Sequence, residues 1–291
     1  MDSTRLAAFV VFADERGFTR AARRLHLSQP ALHAQVRKLE AEVGLPLYEL
    51  RGRQVELTAA GVAVAAFGRE LGERTRRFTA TLHGRADDGP VVLAAGEGAY
   101  LYLLGPALRR FSARHPGALR LLTRDQAGTV AALHERRAQL GVAVFDAVPD
   151  GLDARIISDT APVLALPASA PLARRTRIPL GALSDARLVV PPPGHALRGA
   201  LEQALASAAV PWQIAVEATG WELMLHFVRL GVGWAVVNGC CRMPPGVVAR
   251  PLAALPRTRY SVVWRRDSVP EGRAAELLGL LSLPEPSSSR G

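Results

Sequence analysis

Cysteine is scarce in this chain, and long apolar runs are missing from it. The two cysteines among 291 residues, Cys240 and Cys241, are adjacent and so provide no disulfide framework. Two small residues at a strand end, or a vicinal redox switch, are the alternatives for this pair. No apolar run approaches the roughly 18 residues of a membrane-spanning helix, and charged residues near the N-terminus interrupt any signal peptide. These absences predict a cytoplasmic protein with no membrane partner.

Recognisable catalytic, cofactor and metal patterns are missing as well. Gly96-Glu97-Gly98 follows a predicted strand, but Leu101 occupies the position of the third glycine in a dinucleotide-binding turn. The chain has no phosphate-binding loop, nucleophile elbow or His-Glu-x-x-His pattern, and its seven histidines lack metal-ligand spacing. We therefore expect no catalytic residue, metal or cofactor. A cytosolic α/β enzyme is the least favoured interpretation.

The net charge of +10 is not concentrated at one end of the chain. Residues 1–90 hold 14 Lys and Arg against 11 Asp and Glu, which is +3, and the other residues hold the remaining +7. Composition alone is therefore weak evidence for nucleic-acid binding. The pattern of residues near the N-terminus has to decide that question.

Three apolar stripes at helical spacing occur within the first 43 residues. They consist of Leu6, Phe9, Val10 and Ala13, then Ala21, Ala22 and Leu25, then Leu32, Val36, Leu39 and Val43. Ser28 is a suitable N-cap for the third helix, Pro30 is tolerated in its first turn, and Gly44 would end it. The short turn between the second and third stripes predicts a helix-turn-helix of the kind that enters DNA.

A hairpin is predicted directly after these helices. Residues 47–50 and 54–57 flank Arg51-Gly52-Arg53 as two short strands would. Arg53 would then stand at the tip of a wing, where it could lie along a phosphate backbone or enter a narrow minor groove. A solvated charged turn is the alternative.

This segment resembles the N-terminal domain of the LysR-type transcriptional regulators. The residues at the family's spacing are Phe18-Thr19-Arg20-Ala21-Ala22, Leu27-Ser28-Gln29-Pro30-Ala31-Leu32, Leu39-Glu40, Gly44, Leu47 and Leu57-Thr58-Ala59-Ala60-Gly61. The resemblance implies a winged helix-turn-helix over residues 1–58 and a dimerising linker helix with a hinge over 59–88. A two-lobed α/β effector domain, similar to periplasmic binding proteins, would follow over 89–291.

The resemblance also implies a function and a set of partners. The chain would be a sequence-specific transcriptional regulator that binds double-stranded DNA at an interrupted palindrome and responds to a small-molecule effector. It would form a homodimer that pairs into a homotetramer and could contact RNA polymerase. The alternative from another class is an architectural DNA-binding protein whose C-terminal domain has lost ligand sensing.

The DNA-contacting surface departs from the family where bases would be contacted. The family usually has Ser-Arg in the middle of the recognition helix, and this chain has His33-Ala34. An arginine can discriminate guanine by roughly 1–3 kcal/mol, whereas alanine offers only an apolar contact to a thymine methyl. The candidate DNA-binding residues are Ser28, Gln29, Pro30, His33, Ala34, Arg37, Lys38 and Arg53.

A further helix is predicted over residues 58–82. Its apolar residues lie near one stripe, formed by Val64, Phe67, Leu71, Phe78 and Leu82. Gly68 and Gly72 each cost roughly 1 kcal/mol relative to alanine, so the helix needs a packing partner. Its own domain and a second copy both remain open as that partner, and the resemblance favours the second copy. Asp87-Asp88-Gly89-Pro90 predicts a hinge. We expect the tail from residue 283 not to fold.

Beyond the hinge, short apolar runs alternate with helix-length amphipathic segments, which is typical of open α/β sheets. Strands are predicted at 91–95, 119–122, 140–145, 188–190, 214–216, 234–237 and 261–264, and helices at 102–114, 130–138, 197–208 and 221–230. We expect a first lobe at about 89–161 and 265–282, a second at about 162–264, and a cleft between them.

Three turns at predicted strand ends and helix starts are candidate effector contacts, since helix N-termini in open α/β sheets can hold anions. The resemblance implies effector contacts at these same turns. The candidate effector-binding residues are Glu97, Gly98, Ala99, Gly128, Thr129, His195, Ala196 and Trp221. Glu97 and Trp221 could instead favour a cationic or aromatic ligand, or be a solvated carboxylate and a core aromatic.

Overall fold

Three helices near the N-terminus form the predicted helix-turn-helix head. The computed structural model describes residues 2–52, 54–83, 89–252 and 254–282, and the head helices are Ser3–Glu15 (α1), Phe18–Arg24 (α2) and Gln29–Val43 (α3). Their apolar stripes meet in one core around Phe9, Phe12 and Leu32. The Ser28 hydroxyl accepts a hydrogen bond from the Ala31 N–H at 3.3 Å, and Gly44 ends α3 at φ +76°, so both predicted caps are confirmed.

An antiparallel hairpin follows α3, with strands Tyr48–Arg51 (β1) and Gln54–Leu57 (β2). Gly52 has φ +64° in the turn, a backbone conformation that favours glycine. Leu47 is buried in the head core and anchors the base of the hairpin. The two strands of the predicted wing are confirmed, whereas Arg53 lies outside the described residues.

A long helix, Ala59–Leu82 (α4), leaves the head. The Thr58 hydroxyl accepts a hydrogen bond from the Gly61 N–H at 3.0 Å and donates one to the Pro46 carbonyl at 2.7 Å. These bonds tie the start of α4 to the base of the hairpin. Of the predicted hinge, only Gly89 and Pro90 fall within the described residues, and the tail from residue 283 falls outside them.

The first lobe of the C-terminal domain is a five-stranded sheet with helices on both faces. Its strand order is β4-β3-β5-β12-β6, in which β3 pairs in parallel with β4 and β5, and β12 is antiparallel to β5 and β6. One apolar core lies under α6 and α10 and a second under α7. The elements are β3 (Val91–Ala95), α5 (Glu97–Tyr102), α6 (Gly105–Arg114), β4 (Leu119–Thr123), α7 (Gln126–His134), β5 (Leu140–Val144), β6 (Leu152–Thr160), β12 (Thr258–Arg265) and α10 (Gly272–Leu281).

The second lobe repeats this arrangement with the strand order β11-β7-β10-β8-β9. Strand β8 is parallel to β9 and β10, and β7 is antiparallel to β10 and β11. Helices α8 and α9 each cover a separate apolar core. The elements are β7 (Pro162–Pro167), β8 (Ala186–Val190), α8 (Ala196–Ser207), β9 (Trp212–Glu217), α9 (Trp221–Arg229), β10 (Trp234–Asn238) and β11 (Val247–Pro251), with short 3-10 turns at Pro171–Arg174 and Leu180–Leu183.

The chain crosses between the lobes twice, and the second crossing differs from the predicted one. Because β12 pairs with β5 and β6, Thr258–Arg265 belongs to the first lobe, and the expected lobe boundary near residue 264 is too late. The first crossing follows Thr160, whose hydroxyl donates to the Asn238 Oδ1 at 2.5 Å. Asn238 is almost fully buried, so this bond fastens the crossing to the end of β10.

Two predicted helices begin at different residues in the structure. The predicted helix over 102–114 is interrupted after Tyr102, and α6 restarts at Gly105 with Pro106 in its first turn. The predicted helix over 130–138 spans Gln126–His134 instead, because the Asp125 carboxylate accepts a hydrogen bond from the Gly128 N–H and caps an earlier start.

Candidate nucleic-acid interface and effector cleft

One face of α3 is available to a nucleic acid. The opposite face, with Leu32, Val36 and Leu39, is fully buried in the head core. The exposed face holds all the predicted recognition-helix residues, namely Ser28, Gln29, Pro30, His33, Ala34, Arg37 and Lys38. An exposed, polar and basic helix face beside a tight turn can enter a major groove and contact base edges.

His33 is held by aromatic neighbours rather than extending freely from α3. Its ring centroid lies 5.0 Å from that of Phe18, and its Nε2 lies 3.5 Å from the Tyr48 hydroxyl. Burial raises the pKa of Tyr48, so its hydroxyl stays protonated at neutral pH. The side chain at position 33 is therefore oriented by residues from α2 and β1.

The charges around the recognition helix are partly compensated within the head. Arg51 of the wing pairs with both Glu49 and Glu56 at 3.2 Å, and Arg24 pairs with Glu15 at 3.0 Å. Lys38 makes no ion pair with any residue that the structure describes. Its exposed ammonium group is available to a phosphate oxygen.

Helix α4 has one face on the head and another in solvent. Ala65 is fully buried, and a Cβ on Gly68 would lie 2.6 Å from Val10 Cγ2, so α4 and α1 approach closely there. Val64 of the predicted stripe packs against the head core, and the exposed members of the stripe are Phe67, Leu71, Phe78 and Leu82. A row of large exposed apolar side chains is typical of a surface that a partner covers.

A cleft of about 400 Å³ lies between the two lobes. The first lobe contributes residues at the ends of β3 and β4, and the second lobe contributes residues after β8 and β9. The lobes meet at its wall, where a Cβ on Gly98 would lie 3.1 Å from the Trp221 indole. This position and volume suit a small ligand held at the carboxyl ends of parallel strands.

Half of the predicted effector residues line this cleft and half do not. The lining members are Glu97, Gly98, His195 and Trp221. Ala99 lies on the buried face of α5. Thr129 is fully buried against Gly141 of β5, because α7 begins earlier than predicted. Gly128 and Ala196 are likewise absent from the lining.

Two helix N-termini beside the cleft are already capped by the chain itself. The Asp125 carboxylate accepts from the Gly128 N–H at 2.8 Å, and His195 Nδ1 accepts from the Leu197 N–H at 3.3 Å. Partial burial lowers the pKa of His195, which keeps its imidazole neutral at neutral pH. Backbone N–H groups that the sequence predicted to bind an anion at these two turns are therefore partly occupied by the protein's own side chains.

Several lining residues were missed by the sequence interpretation. They are Leu101, Thr123, Arg124, Asp125, Pro191, Pro192, Thr219, Gly220 and Met224. Most of them follow directly after β4, β8 and β9, so the strand ends themselves were a usable signal. The sequence analysis chose one turn that follows the first predicted strand and two turns that precede helices, and it did not include the residues after the other strand ends.

The residues directly after the C-terminal end of α7 contact the linker helix α4. Arg69 of α4 donates to the Glu135 carbonyl at 2.8 Å and pairs with Asp14 of α1 at 2.6 Å. Arg136 pairs with Glu70 at 3.1 Å and with Asp267 at 2.7 Å. One short helix thus links the cleft, through its cap Asp125, to α4 and the head.

The adjacent cysteines lie at the end of β10, and Cys241 is buried. Contact with Cys240, together with burial, raises the pKa of the Cys241 thiol far above its usual range. The Cys241 thiol therefore stays protonated at neutral pH and is a poor nucleophile. Among the described residues there is no His, Cys, Asp and Glu cluster suited to a metal and no helix able to span a membrane.

Comparison with known proteins extends these observations to the whole chain. Residues 3–62 match the family described as bacterial regulatory helix-turn-helix protein, lysR family, and residues 84–282 match the LysR substrate binding domain. The HTH-type transcriptional regulator BudR of Raoultella terrigena is 33% identical over 284 residues, covering 91% of this chain and 95% of that protein. The RuBisCO operon transcriptional regulator of Allochromatium vinosum is 31% identical and covers 80% and 78%.

Solved structures share the fold at lower identity. A full-length OxyR variant from Pseudomonas aeruginosa superposes with a TM-score of 0.76 at 23% identity, covering 97% of this chain and 93% of that one. Full-length CbnR complexed with its target DNA gives a TM-score of 0.64, also at 23% identity, over 97% and 99% of the two chains.

Proposed function

The chain belongs to the LysR-type transcriptional regulators, and from that premise we propose that it controls transcription as an effector-responsive oligomer at an interrupted palindrome. The family and its relatives are transcriptional regulators, so the enzyme alternative is excluded. It would act on double-stranded DNA in the cytoplasm. Recruitment of RNA polymerase would follow from a change in the spacing of the heads.

The exposed face of α3 carries the DNA part of this proposal. Its opposite face is buried, and the exposed residues from Ser28 to Lys38 on the outer side are the ones that would meet a major groove. Gln29, Pro30, His33 and Ala34 would face base edges, while Arg37, Lys38 and Arg53 would hold phosphates or the minor groove. The structure of CbnR with its target DNA provides a precedent in a protein of the same fold.

The exposed stripe on α4 supports oligomerisation. Four large apolar side chains in one row are costly to leave in water, and a second α4 would cover them. We propose a homodimer through this helix and pairing of dimers into a tetramer. The heads would then reach two or more successive major grooves.

The cleft between the lobes is the proposed effector site. Glu97, Gly98, His195 and Trp221 line it, and they come from both lobes, so a ligand there would contact both. A change in lobe position would be transmitted to the heads through α7 and α4.

The experiment that tests DNA recognition is selection from sheared genomic DNA at near-physiological salt, followed by sequencing of the retained fragments. Enrichment of an interrupted palindrome, especially beside a neighbouring gene, is the expected result. Retention without a shared sequence would favour the architectural alternative, and failure to retain DNA would overturn the proposal.

Phosphate contacts can be tested on the selected operator. Arg37→Ala, Lys38→Ala and Arg53→Ala should each weaken binding and reduce the salt slope by about 0.9 per lost contact. Arg110→Ala is the matched control, because it removes the same charge from an exposed position on α6. An unchanged slope in any test variant would remove that residue from the interface.

A further inference from the structure

The charged side chains that line the cleft between the lobes are mostly acidic, whereas a site for an anionic metabolite is expected to be basic. Glu97 and Asp125 both line it, and Arg124 is the one lysine or arginine among the described lining residues. The Arg124 guanidinium donates to the carbonyl of its own neighbour Thr123 at 2.7 Å. The formal charge of the lining is therefore −1 when His195 is neutral.

Backbone N–H groups at two of the helix starts beside the cleft, those of α7 and α8, are also engaged. The start of α9 has no side-chain cap, but the Glu97 carboxylate lies beside it, 3.7 Å from the Cβ position of Gly220, and would repel an anion there. At the start of α7 the Gly128 N–H is bonded to the Asp125 carboxylate, so a second anion there would be repelled. At the start of α8 the Leu197 N–H is bonded to His195 Nδ1. A carboxylate ligand would have to displace the protein's own caps at both positions.

A carboxylate and an indole lie side by side in the same cleft. The Glu97 carboxylate extends from the first lobe towards the second. Its Oε2 lies 3.7 Å from the position that a Cβ on Gly220 would occupy, and Gly220 directly precedes Trp221. Leu101, Pro191 and Met224 supply apolar surface around them. A carboxylate beside an aromatic ring is the combination that binds an ammonium group, through ion pairing and a cation–π contact.

We propose that the effector of this protein is a small organic cation, a protonated amine on an apolar or aromatic body. The amine would pair with Glu97 and lie on Trp221, and the body would fill the apolar part of the cleft. This inference rests on the proposed function, because it assigns a ligand class to the same effector site.

Three probes with one phenethyl skeleton separate the alternatives: phenethylammonium, 2-phenylethanol and 3-phenylpropionate. Isothermal titration of the full chain should give saturable binding of the ammonium, binding of the alcohol about tenfold weaker, and no binding of the carboxylate. Binding should also change the fluorescence of Trp221. Trp221→Leu should remove that change and weaken binding of the ammonium.

Two exposed charges in the cleft provide matched variants. Glu97→Gln should weaken binding of the ammonium about five- to tenfold and leave binding of the alcohol unchanged. Arg124→Gln should not weaken binding of the ammonium. Both side chains are exposed, so neither change threatens folding.

The outcomes distinguish this inference from the proposed function. Tighter binding of the carboxylate, dependent on Arg124, would overturn the cation assignment and leave the cleft as an effector site. Binding of none of the probes, or ammonium binding that survives both Glu97→Gln and Trp221→Leu, would overturn it too. Operator selection with Glu97→Gln protein tests DNA recognition separately, since this residue lies in the C-terminal domain.

Discussion

At the scale of single residues, one missing Cβ decides whether α4 can join the head. A Cβ on Gly61 would lie 1.8 Å from the Leu47 carbonyl oxygen, which is backbone and cannot rotate away. Gly72 of the same helix has no atom within 4 Å of its Cβ position. Helix propensity alone treats these two glycines alike, whereas of the two only Gly61 has a contact that requires glycine.

Gly61→Ala should therefore destabilise the head by about 1–3 kcal/mol or more, since the backbone has to shift. Gly72→Ala should stabilise α4 by up to about 1 kcal/mol, because alanine is the better helix former. Hydrogen exchange of residues 3–60 is the measurement, since it reports the head separately from the lobes. Equal protection in the two variants would contradict the close contact.

His33 and Ala34 are expected to set the operator sequence. The aromatic contacts with Phe18 and Tyr48 fix the direction of the His33 side chain, and Ala34 beside it can offer only a methyl contact. The double variant His33→Ser, Ala34→Arg should select a different base at the facing steps, with discrimination of about 1–3 kcal/mol. Selection from random DNA measures this, and the single variant Ala34→Ser is the control. Recovery of the parental operator by the double variant would refute the assignment.

At the scale of elements, local signals predicted the head well and parts of the lobes poorly. Ser28 and Gly44 mark the ends of α3 in the sequence, and both caps are found. Strands β6, β7 and β11 were not predicted, because β6 lacks strict alternation and β11 contains Arg250 and Pro251. Their positions depend on pairing with distant strands, β12 for β6 and β7 for β11.

Local sequence signals also predicted only some of the residues that line the cleft. The candidates chosen from strand-end turns reached Glu97 and His195, but Thr129 proved to be buried because Asp125 starts α7 one turn earlier. The contact between Gly98 and Trp221 joins residues from different lobes, and no local pattern predicts it. Which side chains share a cleft is decided by tertiary packing.

The exposed stripe of α4 makes a prediction at the same scale. Phe78 is 64% exposed, and in an α4 pair it would be buried. Phe78→Glu should break the dimer, because a carboxylate buried in an apolar seam is strongly disfavoured. Light scattering over a concentration series measures the molar mass. Leu230→Glu is the control, since it makes the same kind of change at a residue that is 59% exposed on the second lobe. A mass unchanged by Phe78→Glu would move the interface elsewhere.

At the scale of the whole molecule, α7 connects the cleft to the linker helix and the DNA-binding head. It has nine residues, so it spans about 14 Å. Asp125 at its start lines the cleft, and the Glu135 carbonyl after its end accepts from Arg69 of α4. Arg69 also pairs with Asp14 of α1, so a single guanidinium joins the first lobe, the linker helix and the head.

Arg69→Ala should loosen the first lobe from α4, because it removes both bonds of a side chain that is only 12% exposed and leaves only the Arg136–Glu70 ion pair of the two polar links described above. The head keeps its own core and all of its candidate DNA-binding residues, so the affinity for the operator should change little. We expect small-angle scattering to give a larger radius of gyration and hydrogen exchange to rise in residues 133–137. Arg74→Ala is the control, since Arg74 is largely exposed on the same helix and its ion pair with Glu70 stays within α4, while Glu70 keeps its pair with Arg136 of the first lobe. If Arg69→Ala leaves both measurements unchanged, other contacts such as the Arg136–Glu70 ion pair hold the lobe, and the path from cleft to head does not run through the Arg69 guanidinium.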